Sequence, residues 1–329
     1  MLRPWLPVEG ELPTPTASAT PDPLEISFQQ GLELAASDPL AALPFLQDVS
    51  FSSNPSAPAA RKLAQVVQAA RLAGDPAYTL TASGQALAAM GEWELARKAF
   101  LRAVELAPDY VEAWAYLGEA QQKSGEDGLP ALKRALELNP DSLSAQLFSA
   151  LYWQRQGNYR QAGLHFYVAA LIAPADPYIQ IQWGQNSVLA GDTLGARNHF
   201  QRAAELSPND PEVQKQLVRY SLDTELYVKE IALPAAQQLL KDDPSDPEIL
   251  TLLGRAHSFL EESEAARFYL LRAVTLDPDY APAQLYYGLF LLSSGERQEA
   301  LLHLTKVLEL VPGSHEADLA SQAIVQSSH

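Results

Sequence analysis

Seven prolines, Pro108, Pro140, Pro174, Pro208, Pro244, Pro278 and Pro312, recur at separations of 32, 34, 34, 36, 34 and 34 residues. Proline lacks a backbone N–H and its ring clashes with the preceding turn, so each of them ends a helix. A helix end that returns at a mean of 34 residues leaves room for two helices and their turns in every period. A chain built this way buries the apolar face of each unit against its neighbours rather than in one central core.

Residues 77–110 show the content of one period. Leu80, Gly84 and Leu87 fall on one side of a first helix, and Gly91 turns the chain. A second helix then carries Ala96, Phe100 and Ala103 at helical spacing before Pro108 ends it. The small residues let two backbones approach, and the aromatic fills the gap beside them. The same places return as Gly118 and Ala135; Ala150, Ala162, Phe166 and Ala169; Gly184, Ala196, Phe200 and Ala203; Gly254, Ala266 and Ala273; and Gly288 and Ala300. A larger residue at such a contact is expected to cost ~1–3 kcal/mol through overpacking. Ala and Leu are prominent among the 47% of hydrophobic residues, and beyond residue 57 Pro, Gly and Asp interrupt the apolar runs without strand-like alternation, so the elements are helical.

A 34-residue helix–turn–helix unit with these small and aromatic places resembles the tetratricopeptide repeat, and the resemblance covers residues 77–314. It implies an all-α fold, a right-handed superhelical solenoid of seven helix–turn–helix repeats. Residues 24–36, 39–48 and 57–73 form helical patterns split by Pro39, Pro44 and Asn54-Pro55-Ser56, and residues 24–73 are expected to form a degenerate repeat with an insertion. Ala317, Ala320 and Ile324 place one apolar stripe on a last helix, so residues 315–329 are expected to cap the open end.

Two units depart from the pattern. Residues 111–141 lack two residues near Gly128-Leu129-Pro130. Residues 211–245 carry Val218 for the small residue, no turn glycine, and Pro234 inside the second helix, which predicts a kink or break near Leu233-Pro234. That break is either a hinge or the loss of a local constraint.

The balance of 23 basic and 40 acidic side chains, a formal charge of −17, argues against nucleic acid, since phosphate binding needs a dense Lys/Arg surface. Carboxylates at Pro108-Asp109, Pro140-Asp141 and Pro278-Asp279 are expected to cap helix N-termini. Capping and solubility account for much of the acid, and a basic partner stays open. No cysteine is present, which excludes disulfides, thiolate metal sites and cysteine nucleophiles. No run of ~18 apolar residues suggests a transmembrane segment. Residues 1–23 hold six prolines among Thr and Ser and are expected to be a disordered linker. Thr14 to Pro21 is similar to the stalks that hold an extracytoplasmic domain away from a membrane anchor, with Leu2, Trp5 and Leu6 as the edge of that anchor. An ordinary disordered tail fits as well, and composition assigns no compartment.

Motifs for chemistry are missing: no H-E-x-x-H, no glycine-rich phosphate loop and no G-x-S-x-G occurs, so neither a cofactor nor catalysis is expected. Glu126-Asp127 and Glu261-Glu262 fall in turns, where solvated charge is ordinary. His165, His199 and His303 stand at one place of the second helix, where the resemblance implies a half-buried Tyr, so they are read as substitute aromatics rather than metal ligands. Trp114, Tyr152, Trp153, Trp183 and Tyr287 are expected inside the helix pairs.

The resemblance also implies that first helices line a concave groove. The groove places hold Tyr116 and Glu119, then Phe148, then Tyr178, Gln182 and Gln185, then Lys215, Gln216 and Arg219, then Arg255, and finally Tyr286. Aromatic bodies with polar tips and amides suit an extended peptide, loop or partner helix. Lys215, Arg219 and Arg255 are candidates for receiving a carboxylate, with solvated helix charges as the simpler reading. One subset of the family clamps a C-terminal carboxylate with five polar residues. Only Lys215 matches here, with Arg219, Leu252, Pro282 and Tyr286 at the other places, so that clamp is not inferred. The expected function is a non-catalytic protein-interaction scaffold. The alternatives are a carbohydrate-binding accessory protein of an envelope export or assembly machine, and a structural spacer or self-associating solenoid.

Overall fold

The computed structural model describes residues 22–327, and among these it contains eighteen α-helices and no strand. The chain is an all-α repeat solenoid that divides into two compact units, one running to Phe148 and the other from Ser149.

The first unit contains α1 (Pro23–Ala35), α2 (Pro39–Ser50), α3 (Ala57–Ala70) with a 3₁₀ turn at Arg71–Ala73, α4 (Pro76–Ala89), α5 (Trp93–Leu106), α6 (Val111–Lys123) and α7 (Leu129–Leu138). Successive helices pack on one another, and their shared core holds Leu32, Leu46, Leu63, Leu87, Phe100 and Leu117. In α4 a Cβ on Gly84 would stand 2.7 Å from Phe100 Cε1, which is why that place admits no larger residue. The unit short by two residues closes differently: α7 is only 10 residues long, and Gly128 comes so near that its added Cβ would meet the carbonyl oxygen of Gly118 at 2.0 Å. Pro44 lies within α2 instead of ending it.

Helix α8 (Leu143–Arg155) contains the division between the units. The second unit continues with α9 (Tyr159–Ile172), α10 (Pro177–Leu189), α11 (Thr193–Leu206), α12 (Pro211–Asp223), a π-turn at Val228–Ala232, α13 (Leu233–Asp242), α14 (Pro247–Phe259), α15 (Ser263–Leu276), α16 (Ala281–Ser293), α17 (Arg297–Leu310) and α18 (His315–Gln326). Phe200 fills the space against Gly184, where a Cβ would lie 2.4 Å from ring atom Cε1. The first helices α12, α14 and α16 touch in sequence, and α18 packs on α16 and α17.

The expected disturbance at Leu233-Pro234 takes the form of that π-turn. Pro234 has no N–H for an i→i−4 bond, and the wider turn ahead of it runs into α13 with proline in its first two positions. The turn between paired helices carries a left-handed residue in every repeat. Five are glycines, Gly91, Gly125, Gly157, Gly191 and Gly295, while Glu225 (φ 57°) and Glu261 (φ 60°) take the other two places.

The helix caps correct one sequence expectation. Asp109 and Asp279 stand one residue too early: Tyr110 and Tyr280 occupy the N-cap positions, without side-chain caps. At the third junction Ser142, not Asp141, accepts a hydrogen bond from Ala145 N–H at 3.3 Å. The carboxylate caps belong to Asp22, Asp38, Asp75, Asp176, Asp210 and Asp246, each directly before a helical proline, and to Asp192 before Thr193.

Candidate functional site

In the second unit the first helices of successive repeats, together with α18, enclose a pocket of about 300 Å³. Arg219 and Asp223 reach it from α12, Glu248, Leu252 and Arg255 from α14, and Tyr286 from α16. Tyr280, Pro282, His315 and Glu316 also line it. All four residues that stand where the carboxylate-clamp subset has polar groups, Arg219, Leu252, Pro282 and Tyr286, therefore face one cavity.

Its two arginines, and Lys215 beside but not in its lining, are already partnered. Lys215 Nζ lies 2.7 Å from Asp246 Oδ2 and 3.0 Å from Glu248 Oε2, and only 13% of its side chain is exposed. Burial lowers the Lys215 pKa, but the hydrogen bonds and charges of Asp246 and Glu248 outweigh it, so the ammonium titrates above its ordinary value. The reciprocal effect holds for Asp246, where burial raises the pKa and Lys215 with backbone N–H donors brings it below the usual carboxylate value. Arg219 Nε donates to Glu248 Oε1 at 2.8 Å. Arg255 donates to Asp223 Oδ1 at 2.7 Å, and its guanidinium lies 4.1 Å from the Tyr286 ring centre, a cation–π contact. The hydroxyl of Tyr280 is pushed up to about 12, first by burial and next by Glu248, so it stays a donor at neutral pH. Two arginines face three carboxylates in the lining, which makes the pocket a mixed, aromatic-floored surface rather than a basic well.

The other anticipated groove residues are dispersed. Tyr116 is half-buried, stacked on Phe100 at 5.4 Å and edge-on to Phe148 at 4.9 Å, and Glu119 is 6% exposed. Tyr178 is exposed, while Gln182, Gln185 and Gln216 are half-buried, and none of the four lines the pocket. Sequence reasoning did not reach Asp223, Glu248, Tyr280, His315 and Glu316. The available signal was acid one repeat away from each arginine, with Glu248 29 residues after Arg219 and Asp223 32 before Arg255.

Two of the recurrent histidines pair with glutamines. His199 Nδ1 lies 2.9 Å from Gln180 Oε1, and His303 Nδ1 lies 2.6 Å from Gln284 Oε1. Gln284 donates in turn to the Pro278 carbonyl at 2.8 Å, and Gln146, at the same remove from His165, donates to the Pro140 carbonyl at 2.6 Å. His199 stacks on Trp183 at 4.0 Å and His303 meets Tyr287 edge-on at 4.8 Å, so these histidines act as ring fillers with one polar tether. Burial holds His165, His199 and His303 below the ordinary histidine value.

Two segments match family descriptions, residues 84–125 as "TPR repeat" and residues 247–280 as "Tetratricopeptide repeat". With the 34-residue helix pairs between and around them, the chain is a tetratricopeptide repeat protein. Among solved structures it is similar to yeast Tom70, with TM-score 0.55 and 16% identity over 94% of this chain and 64% of that one. It is also similar to a tetratricopeptide repeat protein from Parabacteroides merdae, with TM-score 0.54 and 13% identity over 77% and 99% of the two chains. The peroxisomal targeting signal receptor of Komagataella phaffii is 27% identical over 205 residues, which are 61% of this chain and 31% of the receptor. The match thus spans less than a third of the receptor's length. Among the described residues no helix is long and apolar enough to cross a membrane.

Proposed function

We propose that the chain is a protein-interaction scaffold that holds an extended peptide, loop or helix of a partner along its first-helix faces, anchored in the pocket of Arg219, Arg255 and Tyr286. One observation carries this reading: successive first helices and α18 contribute to a single polar–aromatic cavity, the arrangement a linear ligand needs in order to touch several repeats. The similar receptor is named for recognising a targeting signal, which supports a peptide ligand for the repeats the two share. Because the cations are neutralised within the fold, the ligand is recognised by aromatic area and paired hydrogen bonds instead of by a lone carboxylate. In this reading residues 77–314 bear the binding repeats, residues 24–73 a degenerate repeat before them and residues 315–329 an end cap.

The test is a crosslinking pull-down from the source cell with the intact chain, an Arg255→Gln/Tyr286→Ala form, and a form with Tyr116, Tyr178, Arg219 and Arg255 all replaced by alanine. Circular dichroism melting of each form controls for folding. Loss of one specific protein from a folded variant is the expected result. Equal recovery with every form overturns the groove assignment.

A further inference from the structure

A second cavity of the same unit, about 440 Å³, opens on a different set of residues: Gln201, Glu205 and Pro208 at the end of α11, Gln214 and Leu217 on α12, Glu230 and Ile231 in the π-turn, and Pro234, Ala235 and Gln238 on α13. It exists where the repeat departs from its pattern, since the π-turn displaces the start of the second helix. Its floor is apolar, with Leu217 1% and Ile231 7% exposed. Its polar groups are two carboxylates and three amides, and no cation lines it.

Gln214 lies at this cavity. It is only 6% exposed, and its Nε2 donates to the Ser207 carbonyl at 3.0 Å, as the matching amide of Gln284 does to Pro278. In the sister repeats the Oε1 of Gln180 and Gln284 is met by a histidine nineteen residues further on. Here the two extra residues of the repeat bring Ala235 to that place, nine residues before Pro244 as His199 is nine before Pro208, and Gln214 Oε1 has no partner among the described residues. Gln214 lines the cavity, so its amide oxygen, which no donor of the fold takes up, is open to a donor from a ligand.

We infer that this cavity is a second docking site, separate from the first-helix groove, which takes an arginine side chain from a basic segment of a protein partner. The guanidinium offers five donors in a planar fork, enough to meet the Gln214 amide oxygen in the floor and the Glu205 and Glu230 carboxylates at the rim together. The arginine stem lies on Leu217, Ile231 and Pro234. Arg202 holds Glu205 at 3.1 Å and Lys241 holds Gln238 at 3.3 Å, so cations of the fold steady the rim without entering the cavity. The chain's formal charge of −17 attracts a basic segment and repels an acidic one.

The test titrates the nitrogen-labelled full chain with the capped tripeptide acetyl-Ala-Arg-Ala-amide, and with the same peptide carrying citrulline or lysine. The side-chain amide signals of Gln214 and Gln238 are followed by NMR. The expected result is saturable movement of both signals with the arginine peptide, binding at least ~10-fold weaker with citrulline, and intermediate binding with lysine. Gln214→Leu and Glu230→Gln each weaken the arginine peptide, while Arg255→Gln/Tyr286→Ala leaves it unchanged, which keeps this site distinct from the proposed groove. Equal response to arginine and citrulline, movement confined to groove residues, or no movement overturns the inference. So does an unchanged affinity in a folded Glu230→Gln and Gln214→Leu pair.

Discussion

Two neighbouring repeats of the second unit solve the same packing problem in opposite ways. In the repeat of α10 and α11 the first helix is hollow and the second is full: Gly184 leaves a gap and Phe200 occupies it. In the repeat of α12 and α13 the first helix is full and the second is hollow. Val218 is completely buried in a core shared with Ala232, Ala236 and Leu239, and Ala236 stands where the phenylalanine would be, eight residues before the helix-ending proline. The bulk moves from the second helix to the first, and this inversion carries three further changes with it. The turn glycine becomes Glu225, the Gln–His tether is lost, and a cavity opens beside the π-turn.

The largest expected effect comes from undoing one side of the exchange. Phe200→Ala should destabilise the chain by about 3–5 kcal/mol, since a 3% exposed ring is deleted from a close-fitting gap. Gly184→Val alone should also destabilise, by about 1–3 kcal/mol, through collision with that ring. The double variant imitates the neighbouring repeat and should lose less than the two single losses combined. A urea-unfolding cycle over the four forms measures this, and simple additivity would mean that the two residues do not exchange volume.

A smaller effect tests the turn. Glu225→Gly should stabilise by about 1 kcal/mol by removing a left-handed side-chain conformation, and Glu261→Gly should do the same, read as a rise in melting temperature. Gly191→Ala, at φ 77°, should shift it the other way. If neither glutamate responds, its side chain offsets the strain through contacts of its own.

The smallest effect is a pH dependence. His165, His199 and His303 have folded pKa values below the ordinary 6.5, so between those values and 6.5 the unfolded chain holds more protons than the folded one. Stability should be fully present above the ordinary value and decline as pH falls through that window, then level off from these groups. His199→Ala, copying Ala235 of the other repeat, should make the decline shallower in denaturant melts across mildly acidic pH. An unchanged slope would show that His199 gains its proton without opening its pocket.

Much of this comparison is legible in the sequence and some of it is not. The proline period, the small places and Phe200 predict helix pairs because steric fit repeats with them. Val218, the absent turn glycine and Pro234 mark the irregular repeat, although the π-turn that accommodates them depends on backbone bonds no residue pattern names. Lys215, Arg219 and Arg255 do lie near one another, yet their partners Asp246, Glu248 and Asp223 are in adjacent repeats, and pairing depends on side-chain reach across helices. Asp109 and Asp279 have the sequence context of caps, yet the helices begin one residue later, with Tyr110 and Tyr280 at the N-cap positions. Gln214 was invisible as a special residue, since its distinction is the lack of a histidine that its sisters possess.

The two residues by which this repeat exceeds its neighbours lie between Glu225 and Pro244, and the left-handed turn and the π-turn hold them there. Downstream, the prolines resume their 34-residue beat without delay. An array of this kind can therefore absorb a small in-frame insertion as a local bulge, leaving every later helix in phase. New surface relief can arise in the middle of such a chain by a single genetic event that its other repeats do not register.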